Sequence, residues 1–246
     1  MKIGIITDIH SNSQALDAVL KEFDRIKVGK IICCGDIIGI GPNPEETMQM
    51  LMKRKESLIS VRGNHEKYLI NGLPKEIHDD KRKMSLEEIK NHEWNHSKLS
   101  EESKKFIDEL PIAKNIEIEN KKIYVVHYPS NENGKYKKHI RKPTIVESQD
   151  MFDGIDADIF LYGHTHTVSV NNKEDKWYIN SGSLGCPMNS NIANAGILNI
   201  NNEEIDFQSL NIEYDVEKTI EEINRIKFPM YNEILKIFYG RDKENY

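Results

Sequence analysis

Short apolar runs alternate with segments of helical spacing along the first 61 residues. The runs 2–7, 30–34 and 57–61 are rich in β-branched residues, which predicts buried strands. Between them, apolar residues after Ser11 recur at helical spacing, and 44–55 begins with a proline suited to a first helical turn. We therefore expect two helices here, the first capped by Ser11. Strand–helix alternation of this kind is typical of a layered α/β fold.

The segment from 65 to about 110 has a different composition, in which lysine and glutamate dominate and helical periodicity replaces strands. Ser85 with Glu88 has the spacing of a capping box, and Ser100 with Ser103 resembles one. We expect a helical insertion that lies over the edge of the sheet.

The second half of the chain is rich in predicted strands and ends in two predicted helices, 216–225 and 230–240. A single buried strand is expected at 158–162 and an irregular basic loop at 129–143. The expected hairpins are 112–118 with 122–127, 168–170 with 177–180 around an Asn-Asn turn, and 195–200 with 204–210. No linker interrupts the pattern, so we expect one domain over 1–246.

Charge and composition narrow the class of protein. The formal net charge of the 246 residues is −6, which argues against a broad basic face for nucleic acid. No run approaches the roughly 18–20 apolar residues of a membrane span, and the N-terminus lacks the pattern of a signal peptide. We expect a cytoplasmic protein. Cys33, Cys34 and Cys186 suit packing better than a disulfide or a zinc site.

Chemically active residues stand where five of the predicted strands end. The five segments are Asp8-Ile9-His10, Gly35-Asp36, Gly63-Asn64-His65-Glu66, His127 and Gly163-His164-Thr165-His166. The carboxyl ends of the strands form the ligand crevice of an open α/β sheet, so these loops should meet at one edge. Packing alone does not require Asp, His and Asn there.

The mixture of carboxylate, imidazole and amide groups suits divalent Mn, Fe, Zn, Ni or Co. Side chains at i and i+2 of an extended backbone point the same way, as in Asp8 with His10 and His164 with His166. The candidate ligands are Asp8, His10, Asp36, Asn64, His127, His164 and His166. Seven ligands are too many for one ion and suit two ions that share a carboxylate, roughly 3.5–4 Å apart.

The order of these motifs resembles that of calcineurin-like metallophosphoesterases, which carry D-x-H, G-D-x-x-G, G-N-H-[DE], an isolated His and G-H-x-H. This chain has DIH, GDIIG, GNHE, VH and GHTH. The segments GDIIGIGPNP and NSGSLGCP also resemble a bacterial and archaeal branch of predicted phosphodiesterases related to diadenosine tetraphosphate hydrolases. Ser181 and Met188 depart from that branch, which usually has Pro and Arg at these positions, and Met188 bears on substrate preference.

The resemblance implies a four-layer α-β-β-α sandwich that hydrolyses phosphodiester or phosphoanhydride bonds of a small substrate, such as a nucleotide or a dinucleoside polyphosphate. It implies two metal ions that activate water and His65 as the acid that protonates the leaving group. It assigns Asp8, His10 and His166 to one ion, and Asn64, His127 and His164 to the other. Asp36 is implied as the ligand of both ions.

Several alternatives remain open at this stage. The chain could be a scaffold of the same fold that has lost catalysis and binds proteins, or a nuclease. The loop 135–142 carries five cationic side chains and is either a solvated surface or a lid that faces phosphate. Asn12 either caps a helix or orients a ligand, and we expect His92 and His96 on the surface.

Overall fold

The computed structural model describes residues 1–77, 82–188, 190–201 and 204–241. Within these ranges the chain forms ten strands and eight helices. The strands are β1 (Lys2–Ile6), β2 (Lys30–Cys33), β3 (Leu58–Ser60), β4 (Ala113–Ile118), β5 (Lys121–Val126), β6 (Ile159–Tyr162), β7 (Ser169–Lys173), β8 (Lys176–Asn180), β9 (Ile192–Asn201) and β10 (Glu204–Glu213). The helices are α1 (Ser13–Arg25), α2 (Pro44–Met52), α3 (Asn64–Asn71), α4 (Leu86–Ser97), α5 (Glu101–Glu109), α6 (Ile145–Met151), α7 (Val216–Ile226) and α8 (Tyr231–Tyr239).

Two five-stranded sheets face each other. The first has the order β10-β9-β1-β2-β3 and the second the order β4-β5-β6-β8-β7. In each sheet three neighbouring strands are parallel, β1-β2-β3 in the first and β5-β6-β8 in the second. Ile5 and Ile32 from one sheet share a buried cluster with Val125 and Leu161 from the other. Helices α1 and α2 cover the outer face of the first sheet and α6 that of the second, so the predicted four-layer α-β-β-α sandwich is confirmed.

Burial on both faces explains why β1 is continuously apolar. Its alternate residues Ile3 and Ile5 enter the cluster between the sheets, whereas Ile6 packs toward the helices. Gly4 leaves room for Phe23 of α1, because a Cβ there would lie 2.4 Å from the ring. The absence of a side chain thus lets the first helix lie directly on the central strand.

The predicted helical insertion is present as α3, α4 and α5, although 78–81 lies outside the described residues. Ser85 accepts a hydrogen bond from the Glu88 N–H at 3.2 Å and caps α4, as its spacing predicts. Ser100 accepts from the Ser103 N–H at 3.1 Å and caps α5. Helix α5 packs beside α2, next to the outer strand β3, so the insertion lies at the edge of the sheet as expected.

Two local predictions need correction, and one helix was missed. Asn12, not Ser11, caps α1, because its side chain accepts from the Ala15 N–H at 3.0 Å. The hairpin of β7 and β8 turns at 174–175, since the Asn-Asn pair at 171–172 lies within β7. Helix α6 was not predicted, although Thr144 and Glu147 form a capping box at its start.

No helix in the described part of the chain combines the length and the apolar character needed to cross a membrane.

Candidate metal centre

The predicted ligands meet at one end of the two sheets. Asp8 and His10 follow β1, Asp36 follows β2, and Asn64 opens the helix that follows β3. The other three candidates come from the second sheet: His127 follows β5, and His164 and His166 follow β6. The carboxyl ends of parallel strands from both sheets therefore supply the site, as expected for α/β folds.

Asp8, His10 and His166 form one group. The Nε2 atoms of His10 and His166 lie 2.9 Å apart. Asp8 Oδ1 lies 3.5 Å from His166 Nε2 and 3.8 Å from His10 Nε2. These three side chains can converge on one ion, as the resemblance implies.

Asp36, His127 and His164 form a second group, in which the possible ligand atoms lie within 4.8 Å of one another. Asn64 lines the same cavity as His164. Asp36 also approaches the first group, since its Oδ2 lies 3.9 Å from His10 Nε2. The structure thus brings the candidate ligands together and places Asp36 between the two groups.

Five of the seven candidates have a left-handed backbone, a conformation that non-glycine residues seldom adopt. The φ angles are 52° at Asp8, 48° at His10, 53° at Asp36, 72° at His164 and 55° at His166. Each such residue costs roughly 1–3 kcal/mol, and strain of this kind clusters at functional sites. Because this strained backbone conformation is concentrated at the candidate ligands, placing these side chains lowers the stability of the fold.

Hydrogen bonds to neighbouring groups orient the side chains. His127 Nδ1 lies 2.8 Å from the Cys34 carbonyl oxygen, which turns Nε2 toward Asp36. The His164 N–H donates to both carboxylate oxygens of Asp8, at 3.1 and 3.0 Å. The Thr7 hydroxyl donates to Asp8 Oδ2 at 2.9 Å. Supports of this type fix the tautomer and direction of metal ligands.

Two buried side-chain atoms of the candidate ligands lack a partner among the described residues. Asn64 Oδ1 makes no hydrogen bond, and neither does His127 Nε2. Asp36 Oδ2 lies 3.2 Å from that nitrogen but is not aligned for a hydrogen bond. An unsatisfied buried polar atom lowers the stability of the fold by about 1–3 kcal/mol. Cations that coordinate Asn64 Oδ1 and His127 Nε2 would remove this loss. The donor set therefore fits divalent metal ions.

The carboxylates and imidazoles of the centre shift one another's pKa values. Burial opposes ionisation of Asp36, yet the neighbouring His127 and His65 rings hold the pKa of Asp36 well below its usual range. Burial by itself lowers the pKa of His127, but the Asp36 and Asp8 carboxylates raise it to about 9, so a metal ion that binds Nε2 would displace a proton from this ring. The centre thus retains negative carboxylates in a buried place, which favours binding of cations.

His65 lies beside this centre rather than within it. Its Nε2 is 4.0 Å from Asp36 Oδ2, and its ring centroid is 4.9 Å from that of His10. Burial lowers the pKa of His65 well below its ordinary value. The His92 ring centroid lies 5.0 Å from that of His65. His92 is buried, so the expectation of a surface position is wrong for this residue.

Gly39 explains how His65 reaches its place. Its φ of +88° lies in the region that favours glycine, and a Cβ there would lie 1.9 Å from His65 Nδ1. The second glycine of GDIIG therefore allows the imidazole to lie against the backbone.

Glu66, the last residue of GNHE, organises the loop that carries Asp36. Its fully buried carboxylate accepts hydrogen bonds from the N–H groups of four residues, at distances between 2.6 and 3.1 Å. These residues are Gly63, Asp36, Ile37 and Ile38. Glu66 is not among the residues that the sequence predicts for the site. Its position three residues after the cap residue Gly63, as in a capping box, was the available signal.

Glu66→Gln is expected to destabilise the protein, because either orientation of the amide turns an NH₂ group toward two backbone donors. Two unpaired donors should lower the free energy of unfolding by about 2–4 kcal/mol. Urea unfolding measures this loss, and Glu46→Gln on the exposed face of α2 is the control. Equal stability of the two variants would contradict the role assigned to Glu66.

The structure also places three further residues that the sequence singles out, Asn12, Cys186 and Met188. Asn12 is buried and donates to the Gly185 carbonyl at 2.9 Å, so it acts as a cap and a structural link. Cys186 is buried, and its sulfur lies within 4.8 Å of the ring nitrogens of His10 and His166. Met188 is exposed.

The basic loop reaches the centre through aromatic rings. The Lys137 ammonium donates to the carbonyls of Asp150 and Met151, at 3.0 and 2.8 Å, and so is bound to the end of α6. Tyr136 and His139 instead approach His164, with ring centroids 4.9 and 5.2 Å away. A lid that presents Lys137 to phosphate does not match this arrangement.

Comparison with known proteins agrees with the fold. The family model of the calcineurin-like phosphoesterase superfamily domain matches residues 1–203. An uncharacterised protein of Methanocaldococcus jannaschii is 31% identical over 244 residues, which cover 92% of this chain and 93% of that protein. The crystal structure of a hypothetical protein from Pyrococcus horikoshii is similar, with a TM-score of 0.81, 19% identity, and coverage of 98% of this chain and 99% of that one. A metallophosphoesterase from Sphaerobacter thermophilus has a TM-score of 0.73, 24% identity and the same coverage.

Proposed function

The chain belongs to the calcineurin-like phosphoesterase superfamily, and we propose that it is a phosphoesterase that works with two divalent metal ions. Its substrate is a small molecule with a phosphodiester or phosphoanhydride bond, such as a nucleotide or a dinucleoside polyphosphate. The observation that carries the proposal is the convergence of two ligand groups on Asp36.

We assign Asp8, His10 and His166 to one ion. Asn64, His127 and His164 hold the other, and Asp36 is shared. The buried, unpartnered Asn64 Oδ1 and His127 Nε2 support this assignment, since metal coordination would satisfy both atoms. The donor set accepts Mn, Fe, Zn, Ni or Co.

When bound, such ions lower the pKa of water and offset the charge of a phosphate group. The chain supplies the remaining requirements. The left-handed backbone conformation of the ligand residues fixes the direction of their side chains. Glu66 and the neighbouring N–H groups hold Asp36 in place. His65 lies close enough to Asp36 to face a phosphate held at the centre, where it gives a proton to the departing oxygen.

A substrate panel tests the proposal. The protein is freed of metal with a chelator, reloaded with Mn²⁺, and assayed on bis-(p-nitrophenyl) phosphate, p-nitrophenyl phosphate, diadenosine tetraphosphate, cyclic nucleotides and single-stranded DNA. We expect hydrolysis of at least one small phosphoester or anhydride that requires Mn²⁺ and about two ions per chain. Binding of Mn²⁺ without hydrolysis of any small substrate would favour a scaffold, and preference for DNA would favour a nuclease.

A further inference from the structure

A cavity of about 200 Å³ adjoins the candidate metal centre. Its lining includes Asn64 and His164, two of the proposed ligands, and it extends to Tyr68 and Ile77 on one side and Tyr136 on the other. A group attached to a phosphate at the centre can therefore enter this space. The cavity is lined by residues of α3 and of the basic loop.

Three of the described residues that line this cavity carry aromatic rings, namely Tyr68, Tyr136 and His164. The Tyr136 ring centroid is 4.9 Å from that of His164, and the Tyr68 centroid is 5.8 Å from that of His65. Flat rings of this kind bind other planar rings by stacking, with little dependence on the hydrogen-bonding edge of the ligand. We therefore expect a cavity with these rings in its lining to favour a planar group over a flexible chain.

One cation also belongs to the lining. The Lys67 ammonium donates to the Tyr136 hydroxyl at 3.3 Å and lies 4.5 Å from the centre of the Tyr136 ring. Burial lowers the pKa of Lys67, and the charge of Asp36 counteracts this effect. Lys67 lines the same cavity as Asn64 and His164, so its ammonium is a suitable partner for a phosphate held at the centre.

The volume limits the ligand. Pockets for drug-sized molecules measure about 300–1,000 Å³, so roughly 200 Å³ suits one ring system and not two nucleosides.

We propose that this cavity binds a planar aromatic group of the substrate, an aryl ring or a nucleobase, while Lys67 contacts the attached phosphate. The inference rests on the proposed function for the position of the phosphate. It adds the class of substrate, namely a phosphoester that carries at least one aromatic group close to the phosphorus.

Binding of phosphonates tests the cavity without any turnover, since their C–P bonds resist hydrolysis. Isothermal titration of the Mn²⁺-loaded protein compares phenylphosphonate with cyclohexylphosphonate, which have equal charge and similar size. We expect the planar ring to bind at least fivefold more tightly. Phosphonate analogues of adenosine monophosphate and of ribose 5-phosphate form a second pair, which shows whether a nucleobase is accepted as well as an aryl ring.

Variants separate stacking from charge. Tyr68→Leu and Tyr136→Leu should bring the ratio of the two affinities close to one, whereas Tyr231→Leu on α8 should keep it. Lys67→Met should weaken both phosphonates at least threefold and keep their ratio, and Lys104→Met on α5 should change neither affinity. Metal content is measured for every variant, so that loss of His164 as a ligand is recognised.

Equal binding of the planar and puckered rings to the unchanged protein would overturn the inference. So would equal weakening of both ligands in the tyrosine variants with metal content intact. Hydrolysis of bis-(p-nitrophenyl) phosphate by the same preparations keeps the two proposals apart. Turnover without aromatic preference removes only the cavity assignment, and aromatic preference without turnover on any substrate removes only the proposed function.

Discussion

Asp36→Asn is expected to lower turnover of phosphoesters by at least about 10²-fold. Loss of a partner that only supports a metal ligand typically costs 10–100-fold, so loss of a ligand shared by both ions should cost more. The geometry adds a reason, because Asp36 Oδ2 lies 3.2 Å from His127 in one group and 3.9 Å from His10 in the other. An amide in its place removes the negative charge between them.

Metal content distinguishes this effect from a general loss of structure. We expect the unchanged protein to bind about two Mn²⁺ ions per chain and Asp36→Asn to bind fewer than one at the same free Mn²⁺ concentration. Asp8→Asn removes a ligand that is proposed for only one of the two ions, so it should retain about one ion. Asp17→Asn, on the outer part of α1, is the control for charge. Retention of both ions and of turnover by Asp36→Asn would contradict the shared ligand.

The fold was predictable where both faces of a strand are buried. The runs that became β1 and β2 are continuously apolar because one face meets the other sheet and the opposite face meets helices. The sequence pattern predicted local structure less well where a polar side chain has two possible hydrogen-bond partners. Ser11 and Asn12 both suit a helix cap, and only the tertiary contact of Ser11 with Asn95 at 3.0 Å leaves the cap to Asn12.

The candidate ligands could be predicted from the sequence because metal chemistry restricts their residue types and spacing. The residues that position them could not be predicted in this way. Glu66 accepts from the N–H group of Gly63, directly before its own helix, and from three more N–H groups that lie 28–30 residues earlier in the chain. His92 belongs to the insertion, and no periodicity connects it with His65, although their rings lie 5.0 Å apart. Contacts of this kind depend on how the insertion docks, which local sequence does not encode.

His65→Ala is expected to keep both metal ions and to lose turnover in a manner that depends on the leaving group. General acid catalysis contributes typically 10²–10⁴-fold, and this benefit is largest when the departing oxygen is strongly basic. Alkyl and nucleoside esters should therefore lose at least about 10²-fold in kcat. Esters of p-nitrophenol should lose much less, because p-nitrophenolate departs without a proton.

The acid role requires a proton on an imidazole whose pKa is lowered by burial. A bound phosphate adds negative charge beside the ring and raises that pKa again, so we expect protonation to accompany substrate binding. Kinetics of His65→Ala with a series of aryl esters of graded leaving-group basicity measures the effect, and His96→Ala on α4 is the control. A steeper dependence of kcat on leaving-group basicity in His65→Ala is expected. A parallel dependence with uniformly lower rates would show that His65 only positions Asp36 or substrate, and the acid would then have to be sought elsewhere at the centre.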